Sequence, residues 1–285
     1  MTAPEPDLIG RTCVVTGASG GIGMHVAIGL ARMGATVAIV CRNRARGETA
    51  VARISAEGRS ESVSLFLADF AELGQVRRVA EQLRQRLPAI HVLVNNVGGA
   101  GAKASIGPDG VETTFLVNHL APFLLTNLLQ DRLTADAPAR VVTVASRAHV
   151  RTTLDFDDLD SAKAYSTFRA YARSKLANVL FNRELARRLT GTGVTATCCH
   201  PGVVATGIWD LGFPFSLIMP LAKLWMIAPE EGADTPLWLA SAPEVEGASG
   251  GYYDRRKPVP VAPQGADDAA AKRLWDVSAH MVGLG

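Results

Sequence analysis

With 285 residues, 48% of them hydrophobic and 20% charged, the chain is long enough to bury a large core. A formal net charge of +2 gives no basic field suited to nucleic acid, and no nucleic-acid-binding motif is present. No Pro/Ser-rich linker, charge block or internal repeat divides the chain, so residues 1–285 are read as one domain.

Apolar, β-rich runs alternate with amphipathic ones along the chain. Residues 12–15 predict a first strand and 22–32 the helix after it. A strand at 36–41 and a helix at 46–57 follow, then a strand at 64–68 and a helix at 73–86. Strands at 91–95, 140–145 and 195–200 continue the series, with helices at 110–129 and 166–189 between them and an edge strand at 251–253. These strands lack strict apolar/polar alternation, which suits burial on both faces. The fold expected is therefore α/β: a Rossmann-type, doubly wound parallel sheet with helices on both faces. Residues 257–285 read as a peripheral tail ending in a short helix near 269–281.

In open sheets of this kind ligands bind beyond the carboxyl ends of the strands, and the motifs fall there. The run TGASGGIG at 16–23 passes from a strand through a glycine turn into a helix. Such a turn brings backbone close to a pyrophosphate, and the helix N-terminus offers free N–H donors and a positive dipole. Gly17, Ser19, Gly20, Gly21, Ile22 and Gly23 are thus candidate cofactor-binding residues. At the end of the second strand an acidic residue would bond the adenosine ribose hydroxyls of NAD. The sequence there is Val40-Cys41-Arg42-Asn43-Arg44, with no carboxylate. Arg42, assisted by Asn43 or Arg44, suits a 2′-phosphate, so NADP(H) is the expected cofactor.

The run YARSK places Tyr171 four residues before Lys175, on one helical face. An ammonium beside a phenol favours the phenolate, so Tyr171 is expected to exchange a proton near neutrality. Tyr165 and Arg169 share the spacing, but a guanidinium cannot exchange protons. Ser146 follows the strand at 140–145, where its hydroxyl can polarise a substrate carbonyl. Ser146 and Tyr171 lie 25 residues apart, which requires an insertion; its Asp155, Asp157, Asp158 and Asp160 read as a solvated acidic loop and not as a metal site. His149 and His200 read as ordinary loop and strand-end histidines.

Taken together, TGASGGIG, Asp69, NNVG at 95–98, Asn118, Ser146, YARSK and HPGVVAT at 200–206 resemble the short-chain dehydrogenase/reductase family. VCRN at 40–43, LDFDDL at 154–159, SKLANVLFNRELARRL at 174–189 and the stretch 229–253 resemble its retinol-dehydrogenase-like members. The resemblance implies that Asp69 and the Phe70 backbone meet the adenine and that Asn95 and Gly98 line the cofactor. It further implies that Pro201, Gly202, Val204 and Thr206 cover the nicotinamide, that Lys175 also holds the nicotinamide ribose, and that Asn118 holds a water relaying protons from Lys175. Val97 stands where NNAG would have alanine, and Ser19-Gly20 where retinol-type members often have Asn-Ser.

The segment 205–230 is strongly apolar, with Trp209, Phe213, Phe215 and Trp225 among its side chains. It is expected to be a lid over a lipophilic carbonyl or alcohol substrate, with packing against the domain or another subunit, or a membrane surface, as the alternatives. The leading reading is an NADP(H)-dependent oxidoreductase interconverting a carbonyl and an alcohol. The alternatives are a C=C reductase resembling protochlorophyllide reductase and a non-catalytic NADP(H)-binding sensor or scaffold. Family resemblance implies a homodimer or homotetramer. Cys13, Cys41, Cys198 and Cys199 lack metal-ligand spacing and read as buried thiols in a reducing compartment. No signal peptide is expected from the start MTAPEPDLIGR, and Pro214, Pro220 and Lys223 interrupt the most apolar late stretch, so a cytoplasmic location is expected.

Overall fold

A computed structural model describes residues 7–161, 163, 165–202 and 227–285. The strands are β1 (Thr12–Thr16), β2 (Thr36–Cys41), β3 (Val63–Leu67), β4 (Val92–Asn95), β5 (Ala139–Val144), β6 (Val194–His200), β7 (Tyr252–Asp254) and β8 (Lys257–Pro258). They form one sheet in the order β3-β2-β1-β4-β5-β6-β7-β8. Every pairing is parallel except β7 with β8. The expected strand at 251–253 is therefore not the edge, because β8 lies outside it.

Helices α1 (Gly21–Arg32), α2 (Arg44–Gly58) and α3 (Leu73–Arg86) follow the first three strands. Helix α4 is built from Thr113–Phe115, a π turn at Leu116–Leu120, and Ala121–Ala135. Helices α5 (Thr167–Arg188), α6 (Pro229–Ser241) and α7 (Asp268–Met281) complete the set among the described residues. Helices α1, α2 and α6 cover one face with a core that includes Val15, Ile28, Ile39 and Leu239. Helices α3, α4, α5 and α7 cover the other, around Val14, Phe123, Phe181 and Trp275. The central strands are buried on both faces, as their unalternating apolar runs require. Chain direction across the sheet reverses between β1 and β4, the place where open α/β sheets leave a crevice.

The π turn has a local cause. Pro122 has no N–H to give the Asn118 carbonyl four residues earlier, and its ring would strike that carbonyl in a regular α-helix. One wider turn, in which the Ala121 N–H reaches the Leu116 carbonyl, relieves the clash.

The C-terminal segment is not peripheral. Leu274 and Trp275 are buried, and Trp275 stacks on Phe181 at 5.8 Å and meets Phe123 edge-on at 4.9 Å. Asp267 caps α7 by accepting from the Ala270 N–H, and Asp268 pairs with Arg183 on α5. A stretch rich in Pro and Ala hides a helix whose apolar stripe completes the core. All four cysteines are buried free thiols.

Candidate active site

The glycine turn joins β1 to α1 at the sheet's crevice. Gly17 and Gly21 have φ of 69° and 58°, the left-handed region in which a side chain is strained. Gly23 has no room for one, since a Cβ there would lie 2.4 Å from Asn96 Nδ2 and 2.8 Å from the Gly17 carbonyl. Thr16 Oγ1 donates to the Val94 carbonyl and accepts from the Asn96 and Val97 N–H groups. Asn96 Nδ2 donates to the Thr16 carbonyl at 2.8 Å. These bonds lock the turn to the loop after β4.

A cleft of about 430 Å³ lies over this turn. Of the expected site residues, Gly17, Ser19, Gly20, Gly21, Ile22, Gly98, Tyr171, Lys175 and Pro201 line it. Gly98 leaves space a side chain would fill, because a Cβ there would meet Lys175 Nζ at 3.1 Å and Asn118 Oδ1 at 3.3 Å. Gly20 is open toward Arg46, whose Nη2 lies 3.7 Å from where its Cβ would be. A free helix N-terminus, a glycine floor and a guanidinium at the rim suit an anionic dinucleotide.

Several expected residues sit differently. Asn95 turns its carboxamide to Thr126 Oγ1 at 2.9 Å on the α4 side of the sheet, and Asn96 takes the place by the glycine turn. Asp69 accepts from the Ala71 N–H, while the Phe70 side chain is in the core. Arg42 is exposed at the end of β2, and Asn43 caps α2 by accepting from the Arg46 N–H. Arg46 is the residue missed by the motif reading. Its signal was the cap: Asn43 puts Arg46 at the third helical position, beside the glycine turn. Gly202 abuts Ile227, and Val204, Thr206 and most of the expected lid at 205–230 lie outside the described residues.

At the other end of the cleft Ser146, Tyr171 and Lys175 converge. Ser146 stands just past β5, its hydroxyl accepting from the Ala148 N–H. His149 and His200 flank it: His149 Nδ1 lies 2.7 Å from the Ser146 carbonyl, and the Arg147 N–H donates to His200 Nδ1. Lys175 is buried and donates to the Val144 carbonyl at 2.9 Å, with Nζ 5.8 Å from the Tyr171 ring centroid. Burial lowers its pKa from 10.5 to about 8, offset in part by Cys199.

The tyrosine differs from expectation. Burial pushes the Tyr171 phenol up, and the Ser146 hydroxyl, not Lys175, pulls it part of the way back. In this closely packed site loss of water raises the phenol, while the Lys175 ammonium directs its proton at β5. Tyr171 is thus a phenol held protonated at neutral pH, suited to giving a proton to an oxygen placed against Ser146.

Asn118, buried in the π turn, accepts from the Gly99 N–H and donates to the Gly99 carbonyl and to Ser174 Oγ, all within 2.9 Å. Ser174 in turn donates to the Tyr171 carbonyl. The side chain is therefore fully used as a clamp between the Gly99 loop and α5. Pro122 has no N–H to offer the Asn118 backbone carbonyl. Tyr165 donates instead to the Gly101 carbonyl. The acidic insertion is not merely solvated: Asp158 pairs with Arg173, and Asp160 accepts from the Glu112 N–H.

The profile of the short chain dehydrogenase family matches residues 11–211. The chain belongs to that family. Within it, this short-chain dehydrogenase is of the retinol-dehydrogenase-like subgroup. It is 42% identical over 299 residues to retinol dehydrogenase 14 of Homo sapiens, covering 98% of this chain and 89% of that protein. Among solved structures it resembles an uncharacterized protein from Mycobacterium Paratuberculosis, with TM-score 0.79 and 32% identity over 99% of this chain and 96% of that one. The active-site complex of Pseudomonas aeruginosa RhlG with NADP matches at TM-score 0.71 and 26% identity, over 93% of this chain and all of that one. As a family member this dehydrogenase is an oxidoreductase that uses a nicotinamide cofactor.

Proposed function

We propose that the protein is an NADP(H)-dependent oxidoreductase that interconverts an aldehyde or ketone with its alcohol, acting on a lipophilic substrate. One observation carries this reading: Tyr171 and Lys175, with Ser146 hydrogen-bonded to Tyr171, stand in a cleft that also holds a glycine turn with a guanidinium over it. The nicotinamide, when bound, supplies or accepts the hydride. Ser146 offers its hydroxyl to the carbonyl oxygen, fixing its place beside the Tyr171 phenol. Tyr171 gives its proton to that oxygen in reduction and takes one back in oxidation. Lys175 and the Asn118 carbonyl are the groups through which a water can restore the phenol's proton. The hydroxyl pair favours an oxygen-bearing double bond over a C=C bond.

The preference for NADP(H) rests on Arg42 and Arg46, with no carboxylate at the end of β2 to bond a free ribose. The lipophilic substrate rests on the apolar composition of 205–230 and on relatives named for retinol. A panel of aldehydes, ketones and alcohols run with both cofactors tests the reading. Reduction of long apolar aldehydes with NADPH supports it, and activity confined to small polar ketones overturns the substrate class.

The two arginines give a sharper test. Replacing either Arg42 or Arg46 by alanine should raise KM for NADPH roughly 10- to 100-fold, the range for losing a charged hydrogen bond, while KM for NADH changes little. Equal losses with both cofactors would remove the phosphate assignment.

A further inference from the structure

The residue after Asn118 points away from the cleft into the core. His119 is 1% exposed, and its ring lies 5.1 Å from Phe115, 6.1 Å from Phe123 and 6.2 Å from Phe181. An aromatic hydrocarbon would fill such a box without the cost of burying a polar ring. Instead its Nε2 lies 2.9 Å from Ser278 Oγ, itself wholly buried on α7. Burial lowers the imidazole pKa to about 4, so the ring is neutral at working pH; the Asn178 side chain on α5 is the group that favours the proton. His119 Nδ1 makes no hydrogen bond among the described residues, so the ring's polar tie to the rest of the fold is the one between Nε2 and the Ser278 hydroxyl.

Two consecutive side chains of the π turn thus tie it in opposite directions. Asn118 clamps the Gly99 loop and Ser174 of α5, and His119 is held by α7. Helix α7 lies beyond the residues 11–211 matched by the family profile.

We propose that His119 and Ser278 are positioning residues: their hydrogen bond lets α7 fix the orientation of the π turn, and so holds the Asn118 clamp that sets the Gly99 loop against the helix carrying Tyr171 and Lys175. A small displacement of a reacting group can cost a large factor in rate, which is the lever a remote bond of this kind works through. The consequence for turnover rests on the carbonyl–alcohol reading above; the mechanical coupling does not.

The test compares Ser278→Ala with the double variant His119→Phe/Ser278→Ala, measuring melting temperature, kcat, KM and backbone amide exchange with NADP⁺ present. Ser278→Ala is expected to lower kcat about tenfold with cofactor KM within about twofold, and to speed exchange of the Gly99 N–H about tenfold. The double variant replaces both polar partners with apolar groups and is expected to recover the parent melting temperature. Its kcat should stay low and its Gly99 exchange fast. Recovery of kcat and exchange together with the melting temperature would reduce the pair to a packing feature and overturn the proposal, as would parental kcat and exchange in Ser278→Ala. Should the double variant fail to fold, Ser278→Ala alone decides, through whether Gly99 exchange changes. If the parent protein turns over no carbonyl or alcohol, the functional reading fails, and the exchange measurement still decides the coupling.

Discussion

Replacing Tyr171 with phenylalanine should lower kcat for carbonyl reduction about 10³-fold, the middle of the range for a positioned general acid. Cofactor affinity should change less than about threefold, because Lys175, the glycine turn and the arginines remain. The ring is buried and its volume is kept, so the variant should fold. The direction of its pKa adds a second signature. Burial raises the Tyr171 pKa, so the phenol stays protonated through neutral pH. Reduction, which consumes that proton, should be insensitive to pH up to the alkaline range. Oxidation needs the phenolate and should accelerate as pH rises. Initial rates in both directions check this, and an oxidation rate that falls on going from pH 7 to 9 would contradict it.

Lys175→Met should abolish most activity and yet stabilise the fold. The folded-state pKa is depressed from 10.5 to about 8, so below pH 8 the native state carries an ammonium that burial disfavours. That penalty is present in full at pH 7. It fades as pH rises through 8 toward 10.5, where the unfolded chain binds the proton that the folded one has lost. Relative to the variant, the parent should therefore gain stability across that window, by at most ~3 kcal/mol from the size of the shift. Loss of the bond to the Val144 carbonyl offsets some of the variant's gain at every pH by about 1 kcal/mol, but leaves the narrowing intact. Denaturant unfolding of both proteins at pH 7 and pH 10.5 measures it. A difference that stays constant, or widens with pH, would show that the ammonium is not disfavoured by its surroundings. A destabilising charge kept beside Tyr171 is the expected mark of a site selected for chemistry rather than stability.

Much of this was legible in the residues. Strands that are apolar on both faces announce a parallel sheet, and a glycine turn between a strand and a helix favours a cofactor cradle over a purely structural turn. What escaped did so for local reasons. The NNVG motif holds two asparagines, and which one meets the glycine turn depends on where β4 ends. With Asn95 as its last residue, the alternation sends Leu93 and Asn95 toward α4 and leaves Asn96 for the turn. Arg46 was hidden because its position depends on a helix cap and not on its distance from Arg42. Helix α7 reads as peripheral in the sequence because its neighbours are Pro- and Ala-rich, although Leu274 and Trp275 mark an apolar stripe. The π turn was written in Pro122, but a single proline near a helix start more often signals a boundary. Least legible was the balance at Tyr171. Helical spacing guarantees that a lysine is near, but says nothing of how much water the fold removes or where the ammonium points.

In the proposed reaction a carbonyl carbon receives hydride while Tyr171 protonates its oxygen. NADPH deuterated at the transferring position of the nicotinamide, incubated with the enzyme and a long-chain unsaturated aldehyde, tests this most directly by mass spectrometry and NMR of the product. The expected product is a primary alcohol with one deuterium on the former carbonyl carbon, formed about 10³-fold more slowly by Tyr171→Phe. Deuterium on a carbon of the C=C bond, or product formed equally fast by the variant, would contradict it.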